Sequence, residues 1–122
     1  MSTTINLFRN ATDVKTFTAG QVIFKEGQPG DVMYVVIEGR IDIVVCDKVI
    51  NVVGPGGILS EMALLDKEPR STTAIANTDC RLVPVDQKRF TFLVQQTPYF
   101  AIEVMQIMAE RLRRLNSMLS TT

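Results

Sequence analysis

Seven short runs rich in valine, isoleucine and aromatic residues follow one another at 14–17, 22–24, 32–38, 41–46, 49–53, 71–76 and 80–85. This succession constrains the fold more than any other feature, because short strands separated by turn residues are the pattern of hairpins folded into a sandwich or barrel. Turns are expected at Ala19-Gly20, Gly27-Gln28-Pro29-Gly30, Glu38-Gly39, Asp47-Lys48, Gly54-Pro55-Gly56-Gly57 and Asn77-Thr78-Asp79, where glycine, proline, asparagine and aspartate each favour reversal of the chain. Within 32–38, Tyr34, Val36 and Glu38 share one side of a strand and Met33, Val35 and Ile37 the other, since side chains alternate across a strand. Both sides are partly apolar.

Past residue 85 the apolar period lengthens. Asp86 is suited to cap a helix in which Phe90, Leu93 and Val94 form one face, ending near Gln96. Thr97-Pro98 restarts helix, with threonine capping and proline at a position where its missing N–H costs nothing. The final helix is predicted to run to about Ser120. Along it Ala101, Met105, Met108, Leu112, Leu115 and Leu119 recur at steps of four and three, the spacing of a two-stranded seam. A second set, Phe100, Val104, Ile107 and Met118, widens the apolar surface, so the helix is expected to touch its own β-structure and a second copy of the chain. A core helix in a monomer is the alternative. The first ten residues suggest a short helix with Ile5, Leu7 and Phe8 turned inward.

The expected fold is therefore mostly β: a β-roll, a double-stranded jelly-roll-like barrel, over 13–86, with a short helix inside it and C-terminal helices over 87–120. At 122 residues the chain suits one domain with one core. Its 46% hydrophobic and 21% charged residues exclude a disordered or fibrous chain. Thirteen basic residues balance thirteen acidic ones, so no long-range field draws the molecule to nucleic acid or an anionic membrane. With no apolar run of about 18 residues and no signal-peptide pattern, the protein is expected to be cytoplasmic.

The chain has no histidine, which removes the usual catalytic triads, imidazole metal sites and the commonest general acid or base. An enzyme is disfavoured and no metal is expected; a cupin-type enzyme in particular would lack its ligands. Cys46 and Cys80 both fall in β-type runs and are expected to be buried thiols rather than a disulfide.

The segment 54–74 could carry chemistry. A glycine-rich turn leads into a short helix near 60–65 and then a polar loop ending at Arg70. The start of a short helix offers free backbone N–H groups, here those of Met62 and Ala63. Arg70 adds a planar, permanently charged fork for phosphate oxygens; Ser71 adds a hydroxyl, and Glu61 a carboxylate able to accept from sugar hydroxyls. A sugar phosphate fits this set. On residue types alone, however, Glu61 serves equally as a first-turn carboxylate and Arg70 as its ion-pair partner.

The run Ala19-Gly20-Gln21-Val22-Ile23-Phe24-Lys25-Glu26-Gly27-Gln28-Pro29-Gly30-Asp31, continuing through Val36 to Gly39, resembles the opening hairpins of the cyclic-nucleotide-binding domain family. Glu61-Met62-Ala63-Leu64-Leu65 followed by Pro69-Arg70-Ser71 resembles its phosphate cassette. That family includes the catabolite activator protein, the regulatory subunits of cAMP-dependent protein kinase and the cytoplasmic domains of cyclic-nucleotide-gated channels. The resemblance implies a regulatory domain that binds a cyclic nucleotide and docks its C-terminal helix to signal to an effector protein. It assigns the ribose 2'-hydroxyl to Glu61, the cyclic phosphate to Arg70 with backbone donors at Met62 and Ala63, and a further hydroxyl contact to Ser71 or Thr72. By alignment Arg111, Leu115 and Asn116 lie nearest the ribose and base. The expected ligand is cAMP, with cGMP admitted by the Ser71 hydroxyl.

Two departures stand out. The family has glycine before the cassette glutamate and this chain has Ser60, which costs about 1 kcal/mol if that position needs positive φ; Ser60 could instead cap the short helix. The alternative function is accordingly a cassette that no longer binds nucleotide in a dimerising or partner-binding scaffold. The second departure is that no helix-turn-helix or other output module is expected after the final helix. The cluster Arg111, Arg113 and Arg114 reads as a solvated helix face, with Glu110 placed to pair with Arg114, and no nucleic-acid partner is expected.

Overall fold

The computed structural model describes residues 3–8, 10–61, 64 and 68–120. A short helix α1 (Thr3–Phe8) precedes eight strands: β1 (Lys15–Phe17), β2 (Val22–Phe24), β3 (Val32–Glu38), β4 (Ile41–Val45), β5 (Lys48–Val53), β6 (Ile58–Leu59), β7 (Thr73–Ala76) and β8 (Cys80–Asp86). Two helices follow, α2 (Gln87–Gln96) and α3 (Tyr99–Ser120).

The strands form two antiparallel four-stranded sheets, ordered β1-β8-β3-β6 and β2-β7-β4-β5. This is the expected β-roll, but it is not a closed barrel: the two sheets face each other without pairing into one cylinder. Seven of the strands fall on the expected runs to within two residues, and the runs 22–24 and 32–38 match residue for residue. The two-residue strand β6, paired with Tyr34 and Val35 of β3, was not anticipated, because it emerges from the glycine-rich turn without a β-type run of its own.

Alternation along β3 explains the layering. Tyr34 and Val36 enter a cluster between the sheets with Phe24, Ile41, Val53, Leu59 and Leu82. Met33 and Val35 point the other way and join Phe8, Ile58, Val83, Val85, Phe100 and Val104 beneath the helices. The fold thus has two apolar layers back to back, with β3 and β8 contributing to both.

Asp86 caps α2 as expected, its side chain accepting from the Arg89 N–H at 2.8 Å. At the restart, the Phe100 N–H donates to Thr97 O at 2.9 Å and Ala101 N–H to Pro98 O at 3.0 Å. Phe100 is fully buried, edge-on to Phe8 at 6.1 Å and tilted against Phe90 at 5.6 Å; burying such a ring contributes about 2–3 kcal/mol. Val104 is also buried, and Ile107 and Met108 partly so. The other stripe of α3, with Met105, Leu112 and Leu115, is exposed. The helix therefore rests on its own roll through its first half.

Cys80 is buried, its thiol donating to Thr78 O at 3.0 Å and Arg40 O at 3.3 Å. Cys46 is exposed, contrary to expectation. It belongs to the β4–β5 turn rather than to a strand: Cys46 and Asp47 have φ of 50° and 63°, the paired positive values of a two-residue hairpin turn, one position earlier than the predicted Asp47-Lys48.

Candidate functional site

Arg70 is fixed first through its backbone. The turn at 25–28 is closed by the Lys25 N–H donating to the Gln28 side-chain oxygen at 2.9 Å, and Gly27 takes a φ of 86° that suits glycine. This turn grips Arg70 at both ends, Gly27 N–H donating to Arg70 O at 2.8 Å and Arg70 N–H to Gln28 O at 2.9 Å.

The Arg70 side chain then runs into the mouth of the roll and is 7% exposed. Its guanidinium lies 4.5 Å from the centre of the Phe24 ring and 5.7 Å from that of Tyr34, and the two rings stack at 6.3 Å. Nη1 donates to Val32 O at 2.9 Å and to the Ser60 hydroxyl. Gly30 is also adjacent: a Cβ there would stand 2.4 Å from the guanidinium carbon. Burial lowers the Arg70 pKa, with Tyr34 and Asp31 opposing that shift. Among the described residues Arg70 forms no ion pair. A desolvated cation held by neutral acceptors is an arrangement completed by an anion.

Glu61, 4% exposed, does not pair with Arg70. Its partner is Arg111 of α3, whose Nη1 donates to Glu61 Oε1 and whose Nη2 donates to Ile58 O. The cassette is thereby tied to the last helix across fifty positions of sequence. Ser60, between the two arginine contacts, has a φ of 63°, the left-handed conformation that an L-residue adopts at a cost of about 1–2 kcal/mol. Its hydroxyl is engaged by Arg70.

Four of the expected residues are thus brought together: Ser60, Glu61, Arg70 and Arg111. Ser71 is exposed and Thr72 half-buried, immediately after Arg70 and before β7. Leu115 and Asn116 lie one turn beyond Arg111 and are exposed. Met62 and Ala63 lie outside the described residues. Arg114 pairs with Glu110 at 3.9 Å on the helix surface, as expected, and also donates to Asn51 of β5.

A family model for the cyclic nucleotide-binding domain matches residues 14–97. The chain belongs to the cyclic nucleotide-binding domain family. Among curated relatives, this cyclic nucleotide-binding domain is 38% identical over 81 residues to a cAMP-dependent protein kinase regulatory subunit of Eremothecium gossypii, covering 66% of this chain and 18% of the relative. It is 28% identical over 109 residues to a CRP-like cAMP-activated global transcriptional regulator of Mycobacterium tuberculosis, covering 85% of this chain and 49% of the relative. The domain therefore spans half or less of the length of these relatives. Its fold matches the catabolite activator protein of Thermus thermophilus with a TM-score of 0.81 at 25% identity, over 99% of this chain and 59% of that one.

The walls of the arginine box are not marked in the sequence. Gly30 carries only the signature of a turn residue, and Phe24 and Tyr34 only that of strand residues; their spacing holds no hint that one guanidinium lies on both rings. The partner of Glu61 was missed for a different reason, since nothing local to residue 61 marks residue 111. The described residues include no helix long and apolar enough to cross a membrane.

Proposed function

We propose that this domain is a sensor for a 3',5'-cyclic purine nucleotide in which Arg70 holds the cyclic phosphate and Glu61 the ribose 2'-hydroxyl. The observation that carries this reading is the buried Arg70 guanidinium, whose hydrogen-bond acceptors are the neutral Val32 O and Ser60 Oγ. The names of the two curated relatives support cAMP as the ligand; cGMP satisfies the same phosphate and ribose contacts. Ser71 and Thr72 supply hydroxyls beside the phosphate, Met62 and Ala63 backbone donors, and Leu115 and Asn116 close over the ligand when α3 docks.

A ligand moves a protein only through a difference in affinity between two conformations. Here the two conformations differ in where α3 lies. Arg111 ties α3 to Glu61, and a ribose hydroxyl at Glu61 shares or displaces that contact. Ligand occupancy is thus read by the helix and passed to an effector protein. The exposed stripe of Met105, Leu112 and Leu115 is the surface on which a second copy of the chain pairs, giving a homodimer. The domain acts as a regulator and performs no catalysis.

Ser60 favours a second reading, a scaffold that binds no nucleotide, because its hydroxyl already occupies an Arg70 donor. Thermal unfolding separates the two. A ligand that binds only the folded state at about one hundred times its Kd adds about 2.7 kcal/mol, so millimolar cAMP or cGMP is expected to raise Tm by several degrees. No shift with either nucleotide selects the scaffold.

A further inference from the structure

Tyr34 is only 9% exposed, yet its hydroxyl has no hydrogen-bond partner among the described residues. A buried tyrosine hydroxyl ordinarily finds a partner, because taking it out of water unpaired costs free energy that a phenylalanine would not lose. The fully enclosed side-chain polar atoms among the described residues are all paired, so this hydroxyl is a part of the ring that reaches open space. Phe24, stacked on the same ring at 6.3 Å with 13° between the planes, shows that packing here is met without an oxygen.

The strand β3 brings that hydroxyl to the arginine box. Tyr34 lies on the inward side of the strand, two residues from Val32, whose carbonyl accepts from Arg70 Nη1 at 2.9 Å. In register it stands opposite Leu59 of β6, the residue before Ser60. The guanidinium lies 5.7 Å from the ring centre. Burial lowers the Arg70 pKa, and the Tyr34 phenol and Asp31 are the groups that oppose it, so the phenol oxygen lies within electrostatic reach of the cation. Resting on the cyclic-nucleotide reading, we infer that the Tyr34 hydroxyl is a ligand-binding group that donates to one of the two exocyclic oxygens of the cyclic phosphate.

The chemistry of the anion calls for such a donor. A cyclic phosphodiester spreads one negative charge over two exocyclic oxygens. Arg70 Nη1 is engaged by Val32 O and the Ser60 hydroxyl, so only part of the guanidinium fork is left for them. A phenol from β3 supplies a further donor, and hydrogen bonds to a charged oxygen are the strong ones. The stack on Phe24 and the pairing of β3 with β6 and β8 hold the ring. The hydroxyl is therefore oriented before the ligand arrives, and little freedom is lost on binding. Sulfur is a weak acceptor. A phosphorothioate with sulfur at the Tyr34 oxygen forfeits the contact, whereas its diastereomer, with sulfur at the other position, keeps it.

The test is calorimetric titration of the full chain with cAMP and cGMP, and with the two phosphorothioate diastereomers of whichever binds more tightly. The proteins compared are the wild type, Tyr34→Phe and the control Tyr99→Phe, whose ring is exposed. Tyr34→Phe is expected to weaken the parent nucleotide by about tenfold or more, the scale of a hydrogen bond to a charged group. It is expected to weaken one diastereomer as much and the other by less than about threefold, since that one has already lost the contact. Tyr99→Phe leaves every affinity unchanged. The Tyr34 variant gives up no hydrogen bond within the protein, so its Tm without ligand is expected to stay close to the wild-type value. Equal affinity of the wild type and Tyr34→Phe for the parent nucleotide, or equal losses for the two diastereomers, overturns this inference alone. Failure of the wild type to bind either nucleotide overturns the sensor reading, and this inference with it.

Discussion

Arg70 and Arg111 are both arginines at the cassette, yet they are held in opposite ways. Arg70 is 7% exposed and held by the roll among two rings, a carbonyl, a hydroxyl and the bare Cα of Gly30. Arg111 is 30% exposed at its side chain and comes from a helix whose buried apolar anchors lie in its first half. A charge built into rigid sheet and turn recognises without moving. One carried on a helix can exchange partners, because its partly exposed side chain reaches water when it leaves Glu61 and a ribose hydroxyl can take its place on that carboxylate. The contrast divides the site into a fixed end and a movable end.

The comparison can be broken most directly at the fixed end. Arg70→Ala is expected to weaken cyclic-nucleotide binding by about 2–5 kcal/mol, the cost of losing a buried charged contact; near-wild-type affinity by calorimetry would put the phosphate elsewhere. Glu61→Gln removes the anchor of the movable end. It is expected to lower the unfolding free energy by about 1–3 kcal/mol in a denaturant titration, less than for a fully buried pair because Arg111 reaches water, and to raise amide exchange along 105–120. Unchanged exchange there would mean that the ion pair does not hold the helix.

Gly30→Ala sharpens the claim of rigidity. Its Cβ would stand 2.4 Å from the Arg70 guanidinium, which would have to shift off the Phe24 and Tyr34 rings and away from Val32 O, so a destabilisation of about 1–3 kcal/mol is expected. A neutral outcome would show that the box yields. At Ser60, glycine and alanine variants both lose the hydroxyl and differ in backbone freedom; Ser60→Gly should be more stable than Ser60→Ala by about 1 kcal/mol if the φ of 63° is strained. The smallest effect on stability belongs to the far end of α3. Leu112→Glu and Leu115→Glu, at exposed positions, are expected to change it by under about 0.5 kcal/mol while abolishing the homodimer in sedimentation equilibrium.

The fixed end was also the more legible in sequence. Strand runs, glycine turns and the Asp86 cap are local signals, and they located β2, β3 and α2 closely. Arg70 and Glu61 stood out because charge and polarity in a glycine-flanked loop are visible one residue at a time. What could not be read were relations between distant residues: Gly30 against Arg70, Asn51 against Arg114, Glu61 against Arg111. The valines before Cys46 mark it as a strand residue, whereas the hairpin geometry that places it at positive φ is set by the register of two strands. The strand β6 owes its existence to pairing with β3 rather than to its own composition.

The anchoring of α3 by Phe100 and Val104 gives the movable end a mechanical character. From Val104 to Ser120 the helix extends about 24 Å at 1.5 Å per residue, with Arg111 less than halfway along. It is a lever whose fulcrum is an aromatic cluster and whose load is applied close to that fulcrum. A tilt of about 10° there carries the tip roughly 4 Å, by the same helix dimensions. A change too small to disturb the roll thereby becomes a displacement large enough for another molecule to feel.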